Sequence, residues 1–179
     1  MPEYVCRLCP RQCGALRTEE QGEGFCAMPA LPVIARAGLH HWEEPCISGA
    51  RGAGTVFFSG CVLGCVYCQN GPISRERFGR AVSAERLREI FEELVAQGAH
   101  NIDLVSPTPY VPAILEALEE PLPVPVVWNT GGYERVETLR RLEGKVQVWL
   151  PDMKYADSAL AAKYSGAADY FETASAAIR

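Results

Sequence analysis

Residues 59–70 read SGCVLGCVYCQN, which places Cys61, Cys65 and Cys68 in a Cys-x3-Cys-x2-Cys spacing directly after the apolar run Thr55–Phe58. Three thiols are the wrong number for disulfides, and a closed structural zinc site takes four ligands. Three thiolates suit a metal centre with one position left open. Iron–sulfur cubanes are ordinarily held by four Cys, so with three, one iron is free for an exogenous ligand. Gly60 and Gly64 let the loop curl closely, since neither adds a side chain at a crowded turn. The competing reading makes these thiols buried hydrophobes or part of a zinc site. A second group, Cys6, Cys9, Cys13 and Cys26, counts four ligands, enough for a closed site holding zinc or a second iron–sulfur cluster. Free buried thiols are the alternative there. Cys46 stands alone and reads as a small core residue, His40 and His41 as surface or packing residues, and Trp128 and Trp149 as core.

The elements that must position these groups follow from hydrophobic period and caps. Residues 1–50 read as an irregular, Cys-rich segment, and residues 51–179 as alternating strands and helices. Strands are expected over 55–60, 101–106, 124–130 and 146–150. Helices are expected over about 83–98, with Ser83 as N-cap and Gly98 closing it, and over 112–120, 134–143, 158–164 and 170–178. Such alternation predicts βαβ units and a parallel sheet. Chemistry then belongs at the carboxyl ends of the strands, in the loops 61–68, 107–110, 129–133 and 151–154. The chain has 179 residues, 48% hydrophobic and 22% charged, enough for a globular core. A net charge of −5 argues against a nucleic-acid partner. No apolar run approaches the ~20 residues of a membrane span, and the N-terminus lacks the pattern of a secretory signal. Eight cysteines without an export signal point to a reducing cytoplasm, where clustered thiols are metal ligands more often than disulfides.

With Tyr67 just before the third cysteine, the loop resembles that of the radical S-adenosylmethionine superfamily. Residues 4–179 resemble, more narrowly, the pyruvate formate-lyase activating enzyme homologues of unassigned substrate. The stretches that carry this are CRLCPRQCGA, GEGFC, HHWEEPCISG, GTVFFSGCVLGCVYCQN, NIDLVSPTPY, VVWNTGGYE and WLPDMKY. The resemblance implies a [4Fe–4S] cluster on Cys61, Cys65 and Cys68. It also implies S-adenosylmethionine chelated to the open iron and reductively cleaved to a 5′-deoxyadenosyl radical, which abstracts hydrogen. It implies a flavodoxin or ferredoxin as electron donor, and a glycyl radical enzyme or a small molecule as substrate. Superfamily members often place a Gly-Gly-Glu-like motif after the second strand. Here that loop is Ser106–Tyr110, without an acid, which leaves Ser106, Thr108 and backbone carbonyls to meet the amino group. Asn129-Thr130-Gly131 matches the family's Asp-Thr-Asn-Gly region loosely, and Asp152-Met153-Lys154 matches its Asp-x-Lys well. The resemblance gives these residues contacts with the carboxylate and ribose. The implied fold is a partial parallel βα barrel lacking its last units, since four strands are expected where the family has six. The competing function is a non-catalytic electron-transfer or scaffold module that holds iron–sulfur or zinc.

Overall fold

The computed structural model describes residues 3–179. Two short strands, β1 (Tyr4–Val5) and β2 (Leu16–Arg17), pair antiparallel, and the loop between them carries Cys6, Cys9 and Cys13. Then come β3 (Val33–His40), α1 (Pro45–Ser48), β4 (Ala53–Phe58), α2 (Gly71–Ser74), β5 (Arg80–Ala81), α3 (Ala84–Ala96) and β6 (Ile102–Val105). A 3-10 turn (Thr108–Tyr110) runs into α4 (Val111–Ala117), followed by β7 (Val126–Thr130), α5 (Val136–Arg140), β8 (Val148–Pro151), α6 (Ser158–Ser165) and α7 (Tyr170–Ile178).

The central sheet has the order β5-β3-β4-β6-β7-β8. Strands β4, β6, β7 and β8 are mutually parallel, and β3 is antiparallel to both of its neighbours. The chain is therefore α/β with a mostly parallel sheet. The N-terminal segment is less irregular than its sequence suggests. Strand β3 lies before residue 50 and hydrogen-bonds along β4 from Ile34 to His40. Its sequence, VIARAGLH, lacks alternation because β5 covers only its first residues and its middle is exposed.

Side chains alternate across the strands. Val56, Phe58, Ile102, Leu104, Val126 and Trp128 form one face and pack with Leu87, Phe91, Leu94, Ile114 and Leu118 in the main core. That contact is why α3 forms where it does. Its apolar residues fall on one side, the Ser83 side chain accepts from Arg86 N–H at 3.1 Å, and Arg88–Glu92 lies on the solvent side. The opposite face carries Thr55, Phe57, Asp103, Val105, Val127 and Asn129, in parallel register.

Two tryptophans behave differently. Trp128 is fully buried, whereas Trp149, its β8 neighbour with ring centroids 6.4 Å apart, is 41% exposed. Cys46 is exposed, not core. Among the described residues no helix is long and apolar enough to cross a membrane.

Candidate metal and cofactor centre

Strand β4 ends at Phe58 and the first thiol of the loop, Cys61, follows three residues later. Gly60 adopts φ +77°, and a Cβ there would run into the Met28 side chain; Gly64 adopts φ +62° with the Phe25 ring 3.2 Å from where a Cβ would sit. Neither position accepts a larger residue without displacing the N-terminal segment packed beneath the loop. Cys65 is buried, Cys61 and Cys68 are half-buried, and all three are free thiols. Burial pushes the Cys61 thiol up, countered by the backbone amides of Gly64 and Leu63; the Leu63 N–H lies 3.4 Å from Cys61 Sγ.

The loop is tied down from outside. Arg11 donates from Nε to Val62 O at 3.0 Å and from Nη2 to Leu63 O at 3.4 Å and Ser165 O at 2.6 Å, and it also donates to Gly166 O. Its guanidinium lies 3.8 Å from the centre of the Phe25 ring. One side chain thus joins the N-terminal segment, the thiol loop and the end of α6. Val66 N–H donates to Tyr164 O at 2.9 Å, a second tie between loop and α6.

The carboxyl ends of the parallel strands gather the remaining residues. A cavity of about 640 Å³ is lined by Cys61, Cys65, Cys68 and Tyr67 together with Ser106, Asn129, Thr130, Asp152 and Lys154. Ser106 is held at φ +56°, a left-handed conformation uncommon for a non-glycine residue, by its N–H bond to Asn129 O at 2.9 Å. Asp152 and Lys154 form an ion pair on the rim. Tyr67 is 55% exposed and meets the rings of Tyr155 and Tyr164 edge-on, with centroids 6.1 and 6.2 Å away.

A single hydroxyl fixes two of these loops together. Tyr170 Oη, from α7, lies 2.7 Å from Gly131 O and 2.8 Å from Asp152 O, and accepts from Lys154 N–H at 2.7 Å. Tyr170→Phe should therefore cost about 1–3 kcal/mol, since the ring is buried and its polar partners lose their bond. Urea denaturation measures this directly, and a change below about 0.5 kcal/mol would show that water replaces the hydroxyl.

Thr108 is placed differently from the other candidates. It does not line the 640 Å³ cavity; it is buried and donates to Glu134 Oε1 at 2.5 Å, as does Thr130. Glu134 is 2% exposed. Burial pushes its carboxyl up while the two hydroxyls act to lower it. The Trp128 indole also acts on this carboxyl, yet Glu134 Oε2 and Trp128 Nε1 both lack a hydrogen-bond partner. The sequence reading places Glu134 as the first residue of a helix over 134–143 and gives it no role in the site. The signal available was an acid directly after Gly131-Gly132-Tyr133 at a strand end. A second cavity, about 440 Å³, borders Glu134, Trp128 and Trp149 and contains no thiol.

Residues 55–155, more than half of the chain, match the Radical SAM superfamily model. The chain belongs to the radical SAM superfamily. It is 30% identical over 176 residues to an uncharacterized protein of Methanocaldococcus jannaschii, an alignment that takes in 93% of this chain and 50% of the relative. The chain thus spans half the length of that relative. No solved structure matches it.

Membership of the superfamily implies a [4Fe–4S] cluster and S-adenosylmethionine, and the residues fit both. Three free thiols share one loop, Leu63 N–H approaches one of the sulfurs, and polar strand-end residues line the same cavity as the thiols. Among the described residues no three Cys, His, Asp or Glu side chains converge as ligands of a single ion. A cubane does not need that convergence, because each thiolate binds its own iron.

The N-terminal quartet is more scattered. Cys6 and Cys9 are buried in different apolar clusters, Cys26 is half-buried and Cys13 is exposed. Burial pushes Cys9 up to about 12 and raises Cys6 as well. Beside them the buried Arg17 donates to Cys26 Sγ at 2.8 Å and to Pro109 O. A single-ion zinc arrangement is not assembled among these four.

Proposed function

We propose that this chain binds its [4Fe–4S] cluster through Cys61, Cys65 and Cys68 and uses it to cleave S-adenosylmethionine reductively for hydrogen abstraction. The observation that carries this is a single cavity lined by the three thiols together with Ser106, Asn129, Thr130, Asp152 and Lys154 at the strand ends. When bound, cluster and S-adenosylmethionine supply the electron and the adenosyl group for radical chemistry. The protein's own part is to hold and orient. Arg11 and the Tyr164 carbonyl fix the thiol loop, Tyr170 fixes the facing rim, and Lys154 offers a cation to the carboxylate of the bound molecule with Asp152 orienting it. Thr108 serves at one remove, through Glu134, whose carboxyl it shares with the cavity-lining Thr130.

The finer reading is an activating-enzyme-like oxidoreductase. It would draw its electron from a flavodoxin or ferredoxin and act on a glycyl radical enzyme or a small molecule. Its support is the Asp152-Met153-Lys154 stretch at the end of β8. A second thiolate-held centre at Cys6, Cys9, Cys13 and Cys26 belongs to the same proposal. It is supported by Arg17, a buried cation beside Cys26 that has no carboxylate partner among the described residues. The non-catalytic module is the weaker reading, because an electron carrier needs no polar pocket facing its cluster.

Lys154→Ala tests the assignment. It should weaken S-adenosylmethionine binding by about 1.5–3 kcal/mol, the loss expected for a charge-assisted contact, with iron content unchanged. Electron paramagnetic resonance of the reduced cluster, titrated with S-adenosylmethionine, reads the affinity. Equal affinities would make Lys154 a surface ion pair, worth little.

A further inference from the structure

The thiol loop runs on into a segment that lies outside the cavity. Helix α2 begins three residues after Cys68, and its end returns to the start of the loop. Gly60 N–H donates to Ile73 O at 3.0 Å and Cys61 N–H to Ser74 O at 3.1 Å. Residues 75–80, RERFGR, come next and are all exposed. They are nonetheless pinned. Phe78 N–H donates to Pro72 O at 3.0 Å, Ser59 Oγ donates to Phe78 O, and a Cβ at Gly79 would sit 2.7 Å from Ser59 Oγ. Arg77 takes φ +62°, which a non-glycine residue seldom adopts, and donates from Nε to Cys26 O at 3.1 Å. The segment thus reaches both thiol groups, the Cys61 loop through α2 and the N-terminal quartet through Cys26.

What the segment presents to solvent sets it apart from the rest of the chain. Phe78 is 68% exposed, and Arg75, Arg77 and Arg80 flank it against one acid, Glu76. Among the described residues none of these arginines has an ion-pair partner, in a chain of net charge −5. An exposed aromatic ring among unpaired arginines has the composition of a protein-binding patch. The ring supplies apolar contact, and the cations steer and orient an acidic partner. Arg75, Arg77, Phe78 and Arg80 do not line the 640 Å³ cavity, so they are not placed to hold a molecule that reacts there. Delivery of an electron needs no entry to that cavity. It needs a short path through protein to a thiolate-held centre, and the ties to Cys61 and Cys26 provide one.

We propose that the exposed segment 75–80, with Phe78 at its centre, is the docking surface of a small acidic one-electron carrier protein. One electron passes from the reduced carrier to the oxidised cluster; the carrier is oxidised by one electron, the cluster is reduced by one, and no bond forms or breaks. This rests on the cluster assignment proposed above and gives its electron donor a surface.

Flavodoxin is the probe, an acidic carrier whose flavin hydroquinone gives up one electron to become the semiquinone. Oxidised flavodoxin is titrated calorimetrically into anaerobically reconstituted protein at low and at high salt. Wild type should bind it saturably, and more weakly as salt screens the attraction. Arg75→Glu, Arg77→Glu and Phe78→Ser should each weaken binding about tenfold, whereas Arg141→Glu, at an exposed arginine after α5, should leave it unchanged. Arg77 holds Cys26 O, so Arg75→Glu serves even where Arg77→Glu disturbs folding. Iron content, and cluster reduction by dithionite, which needs no docking, should match wild type in every variant. Equal affinity in Arg75→Glu and wild type, no binding to wild type, or binding indifferent to salt overturns the surface. Retention of a homopolymeric RNA in place of flavodoxin overturns it too. Formation of 5′-deoxyadenosine from S-adenosylmethionine is measured separately. Salt-sensitive docking without 5′-deoxyadenosine keeps the surface and sinks the radical reading. Formation of 5′-deoxyadenosine by dithionite-reduced protein that does not bind flavodoxin does the reverse.

Discussion

Replacing Cys61, Cys65 and Cys68 together by Ala should remove the visible absorption attributable to the cubane they hold in anaerobically reconstituted protein. The loop offers no substitute donors. The side chains beside the thiols in the cavity are Leu63, Tyr67, Gln69 and Asn70, none of them a soft ligand. The fold should survive, since the backbone ties from Arg11 and Tyr164 O do not involve the thiols. Far-ultraviolet circular dichroism separates loss of cluster from loss of structure. Full iron content in the triple variant would move the cluster elsewhere, and the N-terminal quartet would be the place to look. Near-stoichiometric zinc or iron in that variant would instead reveal a second centre at Cys6, Cys9, Cys13 and Cys26, alongside the first.

The parts of the fold that follow local rules were legible in the sequence. Helix α3 has its Ser83 cap and one apolar side, and α7 spans Tyr170–Ile178 as expected. Strands β4, β6 and β7 are legible because they are buried on both faces and read as apolar runs, and β8 because its run is apolar although its residues are partly exposed. Strand β3 is not, because a partly covered strand needs no alternation. The site was legible where chemistry is carried by residue type and spacing, as in the thiol loop. It was not legible where chemistry depends on the third dimension. Thr108 and Thr130 lie far apart in sequence, and only the fold reveals that both hydroxyls meet on Glu134. Asp103 reads as one polar residue in the run Ile102–Val105 of β6; its burial depends on β4 and β7 on either side.

That buried carboxyl should make the protein less stable as pH rises. In the unfolded chain Asp103 loses its proton near 3.8, whereas the folded protein keeps it up to about 7. Between those values the unfolded state binds fewer protons, so stability falls with increasing pH. The contribution is fully present below about pH 4 and gone above about pH 7. Over roughly three pH units at ~1.4 kcal/mol each, the loss is at most about 4 kcal/mol. Glu43, raised in the same direction by burial, adds to the slope. Asp103→Asn removes the titration while keeping an acceptor for Thr55 and gaining a donor toward Glu43. The variant should therefore melt above wild type at pH 8 and lose that advantage at pH 5. A gain of about 1–3 kcal/mol corresponds to several degrees, at ~2–4 °C per kcal/mol for a chain of this size. Parallel melting curves at the two pH values cancel errors common to both proteins. A difference that does not change with pH would mean Asp103 titrates normally.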